Sequence, residues 1–153
     1  MAGAGDVDGD GLDDLLLGAP EATPPSGPAL AGELLLVSGA ALVPGDLDAA
    51  PAAFAVVEGP SAGAGLGAAA AVGDVDQDGL EDDLVGAPYA TSLATRGGLV
   101  GLLPAAGSLV GRVVWSSAAA MSVAGDDAGG YLGAAISVAD IDADGILDLA
   151  LGA

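Results

Sequence analysis

The chain has 153 residues, enough for one domain, and sets 22 acidic side chains against two arginines, Arg96 and Arg112, with no lysine or histidine and a net charge of −20. That balance repels nucleic-acid phosphates and anionic lipid, so nucleic acid is excluded as a partner class, and the absence of cysteine removes thiol chemistry, Cys-ligated zinc and any disulfide framework. The longest uncharged window, 97–111, is broken by Pro104 and falls short of the roughly 20 residues that span a bilayer, so no membrane insertion is expected.

Residues 1–5 lack the basic and apolar regions of a signal peptide and run straight into an acidic stretch, Asp6-Val7-Asp8-Gly9-Asp10-Gly11-Leu12-Asp13-Asp14. An apolar run, 15–17, follows and stops at Gly18-Ala19-Pro20; Pro-rich 22–28 reads as a loop. Two strand candidates come next, 33–37 and 54–57, on either side of turn-rich sequence at Pro44-Gly45-Asp46. Then the series begins again. A short apolar run at 66–72 leads into Asp74-Val75-Asp76-Gln77-Asp78-Gly79-Leu80-Glu81-Asp82, followed by Leu84-Val85-Gly86-Ala87-Pro88. Strand candidates at 99–103 and 110–115 flank a turn at 104–107. A third round runs from 132–138 through Asp140-Ile141-Asp142-Ala143-Asp144-Gly145-Ile146-Leu147-Asp148 to 149–153.

Helices are not expected to carry this chain. Its 27 glycines and nine prolines leave few windows of helical length, and the apolar runs are short and bounded by turn residues. Hydrophobic residues make up 52%, yet only Phe54, Tyr89, Trp115 and Tyr131 are aromatic, so the core must be built largely from small side chains in close backbone approach. The first aspartates of the acidic stretches fall at 6, 74 and 140, giving blade-like periods at 6–73 and 74–139 and a partial third repeat at 140–153. Four short strands per period describe an all-β fold of four-stranded antiparallel propeller blades, about two full blades plus one extra hairpin. Both ends cut through strands of the repeat, so the chain reads as a segment of a longer propeller, or as a unit that self-assembles to close a ring.

The shared frame D-x-D-x-D-G-x-x-D crowds carboxylates so closely that a compact loop is unstable without a cation, and hard oxygen donors at this density suit Ca²⁺. Fifteen of the 22 acidic residues lie in the three stretches, counting Asp83 directly after the second, which favours localised sites over a generally acidic surface. Up to three Ca²⁺ would leave a net charge of about −14. An EF-hand is ruled out because its twelfth position requires a bidentate carboxylate and here holds Leu17, Val85 and Leu151. Gly11, Gly79 and Gly145 stand where the chain must turn sharply around an ion. Asp83 replaces the leucine that follows the ninth position in the other two copies.

The acidic frame, Gly18-Ala19-Pro20 and Gly86-Ala87-Pro88, and the pairs Leu66-Gly67 and Leu132-Gly133 together resemble the FG-GAP repeat of integrin α-type calcium-binding β-propellers, with leucine in place of the phenylalanine of "FG". The resemblance covers nearly the whole chain. It implies Ca²⁺ ligation by side chains at positions 1, 3, 5 and 9 and a carbonyl at 7: Asp6, Asp8, Asp10, Asp14 and the Leu12 carbonyl; Asp74, Asp76, Asp78, Asp82 and the Leu80 carbonyl; Asp140, Asp142, Asp144, Asp148 and the Ile146 carbonyl. Site one is expected to be the weakest, since little strand precedes it. The resemblance further implies an extracellular or cell-surface setting, a structural, adhesive or protein-interaction role, and a protein or glycan ligand taken by the complete propeller. Such repeats also accompany larger extracellular hydrolases or lyases. Catalysis within this chain is not expected, because without His, Cys or Lys the usual general bases and activated nucleophiles are missing.

Overall fold

A computed structural model describes residues 2–103 and 109–153. The turn expected at 104–107 lies outside the described residues. The chain is all-β, and its strands fall into three sheets. In the first, β1 (Ala2–Gly3), β2 (Leu15–Ala19), β3 (Glu33–Val37) and β4 (Ala53–Glu58) pair antiparallel in chain order. The second contains β5 (Ala70–Gly73), β6 (Asp82–Ala87), β7 (Leu99–Leu103) and, beyond the crossing strand β8 (Gly111–Val114), β9 (Met121–Ala124). The third is the hairpin β10 (Ala135–Ala139) and β11 (Asp148–Gly152). Among the described residues helix is confined to a 3-10 turn at Gly39–Ala41 and two four-residue pieces, α1 (Ala49–Ala52) and α2 (Trp115–Ala118). Among the described residues no helix is long and apolar enough to cross a membrane.

Two full blades and a hairpin match the architecture expected from the sequence, but one strand is reassigned. The run at 110–115 was expected as the fourth strand of the second blade. Instead β8 leaves that blade and pairs in parallel with β4, from Ala55 opposite Gly111 to Glu58 opposite Val114, as a fifth strand on the first sheet. The second blade is completed by β9, which pairs antiparallel with β7. A residue's partner in a parallel crossover is set by long-range packing, and nothing in the local pattern of 110–115 distinguishes the two edges.

The core lies between the first two sheets. Leu16, Leu34 and Leu36 of one meet Val85, Ala87 and Leu103 of the other, with Leu66 fully buried between them. Close approach here depends on glycine. A methyl group built on Gly18 of β2 would overlap the carbonyl oxygen of Gly67, and one on Gly86 of β6 would overlap that of Gly133. The glycine after each apolar run therefore receives the Leu-Gly turn of the next repeat. The same turn donates Gly67 N–H to the Gly86 carbonyl at 3.0 Å and Gly133 N–H to the Gly152 carbonyl at 2.9 Å. Blade stacks on blade through bare backbone, which lets a chain poor in aromatics achieve a tight interface.

Since Gly18 meets rigid backbone and no flexible side chain, Gly18→Ala should cost about 1–3 kcal/mol through overpacking. Denaturant unfolding measures this, and a midpoint within error of the parent would show that the blades do not pack through this contact.

Candidate metal centres

Each acidic stretch joins the first two strands of a blade: β1 to β2, β5 to β6 and β10 to β11. Strand pairing fixes the loop mouths. In loop one, the Ala4 N–H donates to the Asp14 carbonyl at 2.9 Å and the Asp14 N–H to the Gly5 carbonyl at 2.6 Å.

Inside the loops one hydrogen-bond pattern repeats three times. The carboxylate at position 1 accepts from the glycine N–H at position 6: Asp6 from Gly11 at 2.8 Å, Asp74 from Gly79 at 3.1 Å, Asp140 from Gly145 at 3.0 Å. Position 3 accepts from the N–H of position 5, as Asp8 from Asp10, Asp76 from Asp78 and Asp142 from Asp144. Position 5 accepts from the N–H of position 7, as Asp10 from Leu12, Asp78 from Leu80 and Asp144 from Ile146. Position 9 reaches back to the N–H of position 2: Asp14 to Val7 at 2.9 Å, Asp82 to Val75 at 3.2 Å and Asp148 to Ile141 at 2.9 Å. These short-range carboxylate-to-backbone bonds are Asx-type turns in series, which curl the chain so that the carboxylates converge.

Asp6, Asp8 and Asp10 each bring one oxygen within 4.8 Å of the others, as do Asp74, Asp76 and Asp78, and Asp140, Asp142 and Asp148. Ligands around one Ca²⁺ at 2.3–2.6 Å span about that distance. Asp14 and Asp82 stay outside the first two groups and Asp144 outside the third. All three are bound to backbone instead, Asp14 doubly so, because its Oδ1 also accepts from Gly39 N–H at 2.9 Å. Leu12, Leu80 and Ile146 expose their side chains at the loop rims.

The donor set fits a hard cation. It offers carboxylate oxygen alone, and Asp74 Oδ1 is a buried oxygen with no hydrogen-bond partner, on the first residue of loop two. An unpaired buried carboxylate oxygen is expensive, and a cation beside it removes the cost. The glycines at position 6 adopt left-handed backbone, with φ of 89° at Gly11, 88° at Gly79 and 88° at Gly145. A methyl group there would meet nothing within 4 Å, so glycine is required by conformation and not by space. Position 4 is left-handed as well, and only loop one puts glycine there; Gln77 and Ala143 take φ of 64° and 63°. The sequence frame leaves position 4 open, and this strain is not visible in it.

The loops differ in support. Loop one is tied to the next strand pair through Ser38 Oγ, which donates to Asp10 Oδ2 at 3.1 Å, and its Val7 is buried. Loop three stands largely exposed on its hairpin. The expected ranking, with site one weakest, rests on its short entering strand; the structure adds that Ser38 and Gly39, just beyond β3, also bond loop one.

Asp83 is the polar residue whose role the sequence left open. It is 2% exposed, and its Oδ1 has no hydrogen-bond partner. Burial, followed by the charges of Asp82, Asp14 and Glu81, pushes its carboxyl from 3.8 up to about 7. Alternation along β6 turns it away from Asp82 toward the first blade, onto the face shared by Val85 and Ala87. Glu81 lies across the same junction, its carboxylate against Gly5 of loop one.

Two blades and a further hairpin, with an acidic loop between the first two strands of each, define a β-propeller-type repeat segment. Residues 2–35 match the family model of the FG-GAP repeat, from β1 through loop one into β3. The chain thus carries an FG-GAP repeat at residues 2–35, and the hydrogen bonds of loops two and three follow the same pattern as those of loop one beyond the matched residues. No curated protein matches it.

Because the carboxyl of Asp83 is raised in the folded state, folding binds its proton between about pH 4 and pH 7, and stability from this residue falls as pH rises through that window. In chelator, Asp83→Leu should be more stable than the parent at pH 8, with the gap narrowing by up to about 4 kcal/mol toward pH 4. Urea unfolding across pH measures the gap, and a constant difference would assign Asp83 no unfavourable charge.

Proposed function

We propose that this chain is a calcium-stabilised propeller segment whose three acidic loops hold one ion each, and whose role is structural or adhesive in an extracellular setting. The observation that carries this reading is the threefold recurrence of one carboxylate cage, with an unpaired buried oxygen on Asp74 in the second copy. The proposed ligands are Asp6, Asp8, Asp10, Asp14 and the Leu12 carbonyl; Asp74, Asp76, Asp78, Asp82 and the Leu80 carbonyl; and Asp140, Asp142, Asp144, Asp148 and the Ile146 carbonyl. A bound divalent cation supplies positive charge, and no chemical step depends on it. The residues do the rest. Backbone N–H groups bond the carboxylates in every loop and draw three of them together, so the loop is shaped before an ion arrives. Binding free energy then becomes folding free energy for the hairpin that carries each loop.

Short loops with no twelfth-position carboxylate suit the weak affinities of extracellular modules, on the order of 10⁻⁴–10⁻³ M. The family resemblance agrees with that setting. A protein or glycan ligand would be recognised by the complete propeller, and the absence of His, Cys and Lys supports a non-catalytic role for these residues.

Adding calcium well above the site affinities should raise the melting temperature by at least about 5 °C over chelator, since each site filled to a hundredfold excess contributes about 2.7 kcal/mol. An unchanged melting temperature would remove the calcium reading.

A further inference from the structure

The segment from β8 to α2 leaves the second blade after β7, crosses to the outer edge of the first, and returns as β9 to the sheet it left. Its two anchors use different chemistry. On the edge of β4, Arg112 stands in parallel register beside Val56, and its Nη1 donates to Glu33 Oε1 at 2.7 Å and to Glu58 Oε1 at 2.9 Å. Glu33 and Glu58 are directly opposite each other on β3 and β4 and only 8% and 6% exposed. Without a cation, two desolvated like charges would face one another across the ladder. Three residues further on, Trp115 enters the core shared by the two blades and lies over Gly101 of β7, where a methyl group would overlap its ring.

We infer that β8 and α2 form a latch tying the first blade to the second, with Arg112 as the residue that holds it shut. Nothing else among the described residues forms a salt bridge, although the chain carries 22 acids. The strand itself is built to release. It is four residues long, it pairs in parallel, the less stable arrangement per residue, and three of its four residues are exposed. Its removal would bare the β4 edge from Ala55 to Glu58, a row of unpaired backbone groups beside two glutamates that accepts a strand carrying a cation, as β8 does. The latch thus occupies an edge that would otherwise pair with another chain.

Trp115 is the single tryptophan and only 7% exposed, so its fluorescence reports the latch alone. In the calcium-loaded full chain, Arg112→Met should raise acrylamide quenching of Trp115 at least about twofold while the far-UV spectrum of the sheets is kept, because a local opening leaves the global fold intact. Arg112→Lys should restore part of the protection. Should Arg112→Met fail to fold with its two glutamates left uncompensated, Glu33→Gln with Glu58→Gln removes the charge attraction, leaving only neutral acceptors and no buried charge pair, and should loosen the latch too. Parental quenching in the folded variants would reduce Arg112 to a surface ion pair, and loss of the sheets in the double glutamine variant would show a strand inseparable from the fold; either result overturns the inference.

Discussion

The whole molecule depends on how carboxylates are confined. Each acidic loop forces four or five carboxylates into nine residues, and their repulsion must be met within the loop because the chain has only two cationic side chains. Backbone N–H groups meet part of it. In all three loops they donate to the carboxylates of positions 1, 3, 5 and 9, at Asp6 and Asp140 to both oxygens, yet three carboxylates still converge in each loop and Asp74 Oδ1 is left without a donor. The remaining demand is for positive charge at a point, and that demand ties the first two strands of each blade to a metal ion in the proposed function.

The blades are assembled on a second constraint, the poverty of large side chains. Instead of aromatic packing, the interfaces bring Gly18 against Gly67 and Gly86 against Gly133, backbone on backbone. This places the loops of neighbouring blades side by side, and the cost appears at their junction. Asp83 faces the first blade with one oxygen unpaired, near Asp14 and Glu81, where Leu15 and Leu149 stand in the equivalent positions. The opposite solution is found at Glu33 and Glu58, where a guanidinium brought from the second blade balances the buried pair.

Much of this was legible in the sequence, for reasons that are local. The D-x-D-x-D-G spacing dictates the Asx turns directly, and β2, β3, β4, β6 and β7 appear as short apolar runs with clear ends. The failures are all long-range or weak. β9 is four largely exposed residues with little apolar pattern, and the exchange of β8 between blades depends on pairing with residues more than fifty positions away. The role of Arg112 is not legible in the sequence because its partners, Glu33 and Glu58, lie 79 and 54 positions away. Left-handed backbone at Gln77 and Ala143 was hidden, since neither residue type announces it.

The most direct test of the central claim is a count of bound ions. Equilibrium dialysis against calcium should give three ions per chain, and Asp6→Ala, Asp74→Ala and Asp140→Ala should each reduce the count to two. A count that stays near zero at millimolar calcium, or one that does not change on removing these aspartates, would contradict the account.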